Sequence, residues 1–239
     1  IIVLGPRLGR FSASGEARTI PGHNLSMVAL GGFILWFGWF GFNAGSTLAA
    51  TIDIGKIALN THLAACTGAL GYMLISKLFK QAILLTGTVN GSLGGLVGIT
   101  AGCATMEPFF AMLTGVIAGG ISFLGPKLLA SFKIDDVVDA VSVHGFCGAW
   151  GTLAAGLFYA GDLFNLTRIS VQALGIGVAF VWGFGIAYCA YFLIDKLVGM
   201  RASSLHEQRG LDFTEHAEIG YPEFQDTRAI NQEALNAQR

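Results

Sequence analysis

Residues 27–50 read MVALGGFILWFGWFGFNAGSTLAA, 24 consecutive positions without a charged side chain. As a helix rising 1.5 Å per residue this stretch reaches about 36 Å, more than the roughly 30 Å of hydrocarbon in a bilayer. Five further apolar stretches follow, near 57–79, 82–103, 108–130, 137–160 and 171–199. Each is bounded by charge or turn residues: Pro21, Asp53 and Lys56, Lys80 and Gln81, Glu107 and Pro108, Lys133 to Asp136, and Gly161 to Arg168. The pattern predicts an all-α, polytopic transmembrane bundle: a membrane domain over 1–201 with six spans, and a polar tail over 202–239.

Composition agrees. Hydrophobic residues make up 53% of the chain and charged residues only 12%, about half the charge of an ordinary soluble domain. With 14 Lys+Arg against 15 Asp+Glu and no dense basic tract, a nucleic-acid partner has no electrostatic support. The four cysteines, Cys66, Cys103, Cys147 and Cys189, lie inside apolar runs without a CxxC pair, so they read as packing residues. The 34 glycines suit helices that approach closely within a membrane.

Six spans put both ends on one side. That side carries Arg7, Arg10, Arg18, Lys77, Lys80, Lys127, Lys133, Lys196, Arg201 and Arg209, and the opposite loops carry Lys56 and Arg168, so both ends are expected to be cytoplasmic. Ile1 to Pro6 reads as the apolar end of a span whose start precedes it, and nothing there resembles a signal peptide. Taken on composition, the tail reads as a solvated, partly disordered end.

Two segments could carry chemistry. In Gly32 to Ser46, Trp39, Phe42 and Ser46 are three and four apart, roughly along one helical face. An aromatic face with a hydroxyl near the outer end could hold a small cation; an interfacial aromatic belt is the alternative. In Asp135 to Gly148, His144 sits about 10 Å inside a span. Ionisable groups at that depth usually face a bundle interior or a water-filled cavity, and a neutral imidazole there offers one donor and one acceptor; a satisfied interhelical histidine is the alternative.

Asp135 and Asp136 are expected to cap the N-terminus of this helix. Asp139, about 140° around the helix from His144, is not expected to pair with it. Gly145, Gly148 and Gly151 are expected to admit a neighbouring helix. Asn90, within a run of small residues, could mark an ion site, with a helix-crossing residue as the plainer reading, and His62 and His23, lacking a constellation around them, read as structural. No nucleotide-binding, metalloprotease or nucleophile-elbow pattern is present, and nothing supports an enzyme.

Several segments resemble the ammonium transporter family (Amt, Mep and Rh proteins). PGHNLSMVALGGFILWFGWFGFNAGS (Pro21 to Ser46) is similar to its sixth span, and DDVVDAVSVHGFCGAWGTLAAGLF (Asp135 to Phe158) to its tenth. ALNTHLAA (Ala58 to Ala65) and NGSLGGLVGITAGC (Asn90 to Cys103) are similar to the seventh and eighth. GLDFTEHAEIGY (Gly210 to Tyr221) is similar to its C-terminal tail.

The resemblance implies that Trp39 and Ser46 belong to an outer ammonium-recruiting site, with Phe42 one of two stacked phenyl rings closing the pore. His144 would be the second of a pair of lumen histidines, lined by Leu35 and Ala140, with Asp136 and Asp139 as structural residues nearby. Ammonium, with methylammonium as a second substrate, would lose its proton, and ammonia would cross while the proton follows separately. An ammonium receptor, or an inactive fragment, is the alternative.

The family has eleven spans in a homotrimer, so the resemblance covers its second inverted half and tail. It implies a PII-type regulatory protein at the cytoplasmic face, the plasma (cell inner) membrane as location, and no cofactor. The first lumen histidine and the other gate phenyl would lie upstream, and the chain is read as a truncated product or partial sequence.

Overall fold

The computed structural model describes residues 1–221; the rest of the 202–239 tail, including Glu223 and Asp226, lies outside the described residues. The chain folds as α1 (Leu25–Asn43), a 3-10 turn (Gly45–Thr47), α2 (Asp53–Leu78), α3 (Leu85–Thr100) and α4 (Pro108–Ser131). A π-helical turn (Val141–Phe146) then runs into α5 (Cys147–Leu157), followed by α6 (Leu166–Val198) and the short α7 (Ser204–Arg209) and α8 (Leu211–His216). No named strand occurs among the described residues; Phe11 and Ala17 form one isolated bridge.

Local chemistry sets the helix limits. The Asn24 side chain accepts from Met27 N at 3.0 Å, so α1 opens at Leu25. Asn165 accepts from the backbone of Thr167 and Arg168, which starts α6 earlier than hydropathy alone suggests. At its far end α1 stops at Asn43, whose buried amide donates to Thr61 Oγ1 of α2 at 3.0 Å.

Helices α2, α3 and α4 pack on one another at the centre, α1 lies mainly on α3, and α6 packs on α5. Helix α6 buries no residue and α1 buries only Asn43. On length and composition, Leu25–Thr47, Pro108–Ser131 and Leu166–Val198 can cross a membrane. The central helices α2 and α3 carry polar and glycine residues in place of part of that hydropathy, because their contacts are with backbone. A Cβ on Gly95 would lie 2.0 Å from Ala64 O, and one on Gly119 would lie 2.1 Å from Gly68 O. Several buried donors are engaged within the bundle: Asn60 Nδ2 donates to Cys103 O and Met106 O, both at 2.9 Å, and Thr61, Ser76 and Ser122 donate to carbonyls one turn back.

The glycine repeat at the start of α5 works differently from its sequence reading. Gly151 meets α3, where a Cβ would stand 2.1 Å from Gly98 O. Cβ atoms on Gly145 and Gly148 would make ordinary contacts at 3.6 and 3.7 Å with valine methyls. Gly145 lies in the π turn against Val141 of that turn, whereas Gly148 and Gly151 lie in α5 and both face α3; of the three, Gly151 alone stands where backbone leaves no room for a Cβ.

The approach to the π turn is organised by charge. Asp136 caps it, Oδ2 accepting from Val141 N at 2.8 Å and Ser142 N at 3.4 Å. Asp135 does not cap. It accepts from Arg7 N, Nε and Nη2 at 3.0, 2.8 and 2.9 Å and pairs with Arg10 at 3.1 Å. The Arg7 guanidinium holds the Asp135 carboxyl down at about 2, although burial works against it. The same loop meets the tail: Glu207 accepts from Leu8 N at 2.9 Å and Arg201 Nη2 at 2.6 Å, and Arg201 Nη1 donates to Leu4 O and Gly5 O.

Gly151→Ala is therefore expected to cost about 1–3 kcal/mol by overpacking, whereas Gly148→Ala should be neutral or slightly stabilising through helix propensity. Thermal unfolding in detergent distinguishes them, and equal melting temperatures would refute the close contact at Gly151. For Asp135, the folded-state value of about 2 lies below the unfolded value of roughly 3.9. Its contribution is thus complete above about pH 4 and is lost as pH falls towards 2. Asp135→Asn should destabilise the protein by about 1–3 kcal/mol at neutral pH, and the gap to the parent should close on acidification. A pH-independent gap would contradict the ion pair.

Candidate functional site

Two clusters of the candidate residues form at either end of α3. At the first, Trp39 is half-buried, and its Nε1 donates to Thr100 Oγ1 at 3.0 Å; Thr100 in turn donates to Leu96 O at 2.8 Å. This fixes the indole against the last turn of α3. The Phe42 ring meets it edge-on, centroids 5.7 Å apart, and remains 59% exposed. Ser46 has left the α-helix and sits in the 3-10 turn, yet stays beside Phe42 because its hydroxyl donates to the Phe42 carbonyl. Its oxygen lone pairs are left to accept. Leu35, two turns back along α1, is exposed.

At the other end of α3 lies the π turn. Asp139 takes a left-handed φ of 59° and accepts from Asn90 Nδ2 at 2.9 Å. Asn90, read from sequence as a passive crossing residue, is therefore the side chain that locks the entry to the turn, and no short-range signal marks it: its partner is 49 residues away. Ala140 is half-buried at the N-cap of the turn. His144 lies within the turn and is exposed, with no hydrogen-bonding side-chain partner among the described residues. The wider turn of a π-helix is a recurrent feature of functional sites, because it displaces one side chain from the regular helical spacing.

Helix α3 thus touches both clusters, through Thr100 and through Asn90. Ten residues separate these contacts, about 15 Å along a helix. No hydrogen bond or ring contact joins the clusters directly among the described residues.

Two histidines read as lacking a constellation have one. His62 on α2 stands between Trp36, centroids 5.4 Å apart, and Phe40, stacked at 6.3 Å, with Cys66 Sγ 3.6 Å from its Nε2. The His23 ring lies tilted by 47° against Tyr221, centroids 4.4 Å apart, and shares a 2.9 Å hydrogen bond with its hydroxyl. The i, i+4 spacing of His62 and Cys66 was available in the sequence; the α1 rings were not.

Comparison with known proteins places this geometry. The model of the Ammonium Transporter Family matches residues 1–221. Ammonium transporter Amt2 of Archaeoglobus fulgidus is 42% identical over 94% of this chain, and a putative ammonium transporter of Synechocystis is 42% identical over 90%. The matches take in 51% and 41% of those proteins, so the chain spans about half the length of the curated relatives it matches. Among solved structures, a sensor Amt protein superposes with a TM-score of 0.85 at 34% identity, covering 90% of this chain and 55% of that one. Mep2 of Saccharomyces cerevisiae gives 0.75 at 27% identity, covering 85% and 50%. The helical bundle is accordingly that of an integral membrane protein, of a class whose members are transporters and channels rather than enzymes. With its family model matched from the first residue to the end of the described tail, the chain belongs to the ammonium transporter family.

Proposed function

We propose that this chain supplies one wall of an ammonium pore, with recruitment at Trp39, Phe42 and Ser46 and transfer past His144. The observation that carries the reading is the pairing of the two clusters on α3: an anchored aromatic pair with an accepting hydroxyl at one end, and an unpartnered histidine on a π turn at the other.

The chemistry follows from the groups. Ammonium is drawn to the Trp39 face by its quadrupole and donates to the Ser46 oxygen, whose own proton is engaged by the Phe42 carbonyl. Phe42 is the gate beneath this site. Beyond it, Leu35 and Ala140 line an apolar passage in which a bare cation is strongly disfavoured, so the species that crosses is ammonia. His144 offers a nitrogen lone pair and an N–H to ammonia and to the proton that travels separately. Asp136 and Asp139 hold the turn that presents it. The second lumen histidine and second gate ring belong, on the family resemblance, to the half of the relatives' length that this chain does not match. The working form is a homotrimer in the plasma (cell inner) membrane with both described ends cytoplasmic, and the joint of loop 1–8 with Glu207 and Arg201 is the surface a PII-type regulator would address. The membrane domain is 1–201, with six spans, and the tail 202–239.

A receptor role is the second reading, favoured by the likeness to a sensor Amt protein. It would use the same recruiting site with little flux.

The test is a transporter assembled from this chain and the first half of the Archaeoglobus relative, reconstituted and assayed for current and uptake. Trp39→Leu is expected to raise the half-saturation concentration about tenfold, the equivalent of a desolvated cation–π contact of roughly 1–2 kcal/mol. An unchanged value would leave Trp39 as an anchor to Thr100 only. In the same background His144→Ala is expected to abolish transport or change the charge moved per ammonium taken up. Parental current and uptake together from that variant would remove His144 from the mechanism.

A further inference from the structure

His62 and Cys66 occupy one face of α2, one turn apart, with Nε2 and Sγ separated by 3.6 Å. Helix α1 sets Trp36 and Phe40, likewise one turn apart, beside the imidazole, which remains exposed. His62 is nine residues into α2, about 14 Å from its first residue. An imidazole at that depth whose one side-chain hydrogen-bond partner among the described residues is sulfur is a costly way to hold two helices together, since an aliphatic side chain would pack against Trp36 and Phe40 without a polar group to satisfy.

We propose that His62 and Cys66 form a two-coordinate site for a soft monovalent metal ion, Cu(I) or Ag(I), beside the indole of Trp36. Ligand type selects the metal, because sulfur and imidazole together favour soft ions over oxygen-seeking ones. Geometry agrees. A linear N–metal–S unit with bonds of roughly 2.0 and 2.3 Å needs about 4.3 Å between nitrogen and sulfur, so a side-chain shift of about 0.7 Å from the present 3.6 Å admits the ion.

Charge makes the third argument. Binding breaks the Cys66 S–H bond as the metal–sulfur bond forms, the proton leaves to solvent, and the Nε2 lone pair fills the second position. No electron is transferred. Thiolate and monovalent ion sum to zero, so the complex is tolerated at hydrocarbon depth, whereas a divalent ion would leave a net positive charge there. No third His, Cys or carboxylate completes a set with them among the described residues, which counts against tetrahedral zinc. The Trp36 face adds cation–π attraction on the open side. None of these residues belongs to the recruiting site or the π turn, so the site stands or falls independently of transport.

The experiment titrates silver nitrate into the purified 239-residue chain in detergent and chloride-free medium, reading bound silver, released protons and tryptophan fluorescence. One Ag(I) per chain is expected, with one proton released and the emission quenched. His62→Gln and Cys66→Ser should each weaken binding at least about 100-fold, more than loss of an outer-sphere partner costs, and should abolish proton release. The titration is run in the Cys189→Ser background, because an exposed thiol binds silver and releases a proton by itself, and there Trp36→Phe should retain binding while losing the quench. Binding that survives His62→Gln at parental affinity, or that releases no proton, overturns the proposal. Both substitutions are close in size to the parent side chains, and His62 is exposed, so His62→Gln decides the matter if Cys66→Ser fails to fold.

Discussion

Carbonyl oxygens of α2 press against the backbones of α3 and α4 at positions where only a hydrogen fits. Gly95 against Ala64 and Gly119 against Gly68 set the separation of the three central helices. In lipid there is no hydrophobic drive to bring helices together, so association relies on such close backbone fit and on polar groups bonded within the bundle. Both candidate clusters are registered from this core. Thr100 and Asn90 project from α3 at fixed positions, and they are what Trp39 and Asp139 hold on to. A shift of α3 relative to α2 would move both clusters at once.

The second layer of organisation is electrostatic. The π turn that carries His144 begins in a segment gripped from two directions: Asp136 turns inward to cap it, and Asp135 turns outward to two arginines of the N-terminal loop. That loop also meets Glu207 and Arg201. The chain's first residues, the entry to the π turn and the start of the tail therefore form one joint. Such a joint ties the tail to the histidine-bearing turn through short contacts, and displacement of α7 has a direct route to Asp135.

How much of this was legible in the sequence depends on range. Apolar runs and their punctuation locate helices, and the N-cap of α1 at Asn24 is a local signal. Asp136 as a cap is readable for the same reason, since its partners are five and six residues away. Asp135 looks identical in sequence and does something else, because its partners lie 128 residues earlier. Asn90 and His62 were undervalued for that reason too: the groups that give them meaning, Asp139, Trp36 and Phe40, arrive only when α1, α3 and the π turn are assembled. The glycine repeat departs from its sequence reading for another reason: Gly145 lies in the π turn against Val141 of the same turn, while Gly148 and Gly151 both face α3 and, of the two, Gly151 alone meets its backbone closely. The recruiting residues and His144 entered through family resemblance; composition and spacing left both clusters with a bland alternative.

A last distinction separates the polar groups that build from those that act. Asn60 gives both amide hydrogens to carbonyls, Thr61 and Ser76 return theirs to their own helix, and Asp135 takes three hydrogen bonds and an ion pair. The donors of these groups are engaged, as membrane depth demands, although Asn60 Oδ1 is buried without a hydrogen-bond partner. His144 has no such partner and stands exposed, and Phe42 and Leu35 are open to a similar degree. Apolar rings and leucines tolerate lipid, but an imidazole facing hydrocarbon costs a few kcal/mol. His144 is thus an exposed imidazole on a capped and arginine-braced turn, without a side-chain hydrogen-bond partner among the described residues, and this contrast with the bonded groups of the bundle is what the proposed pore role rests on.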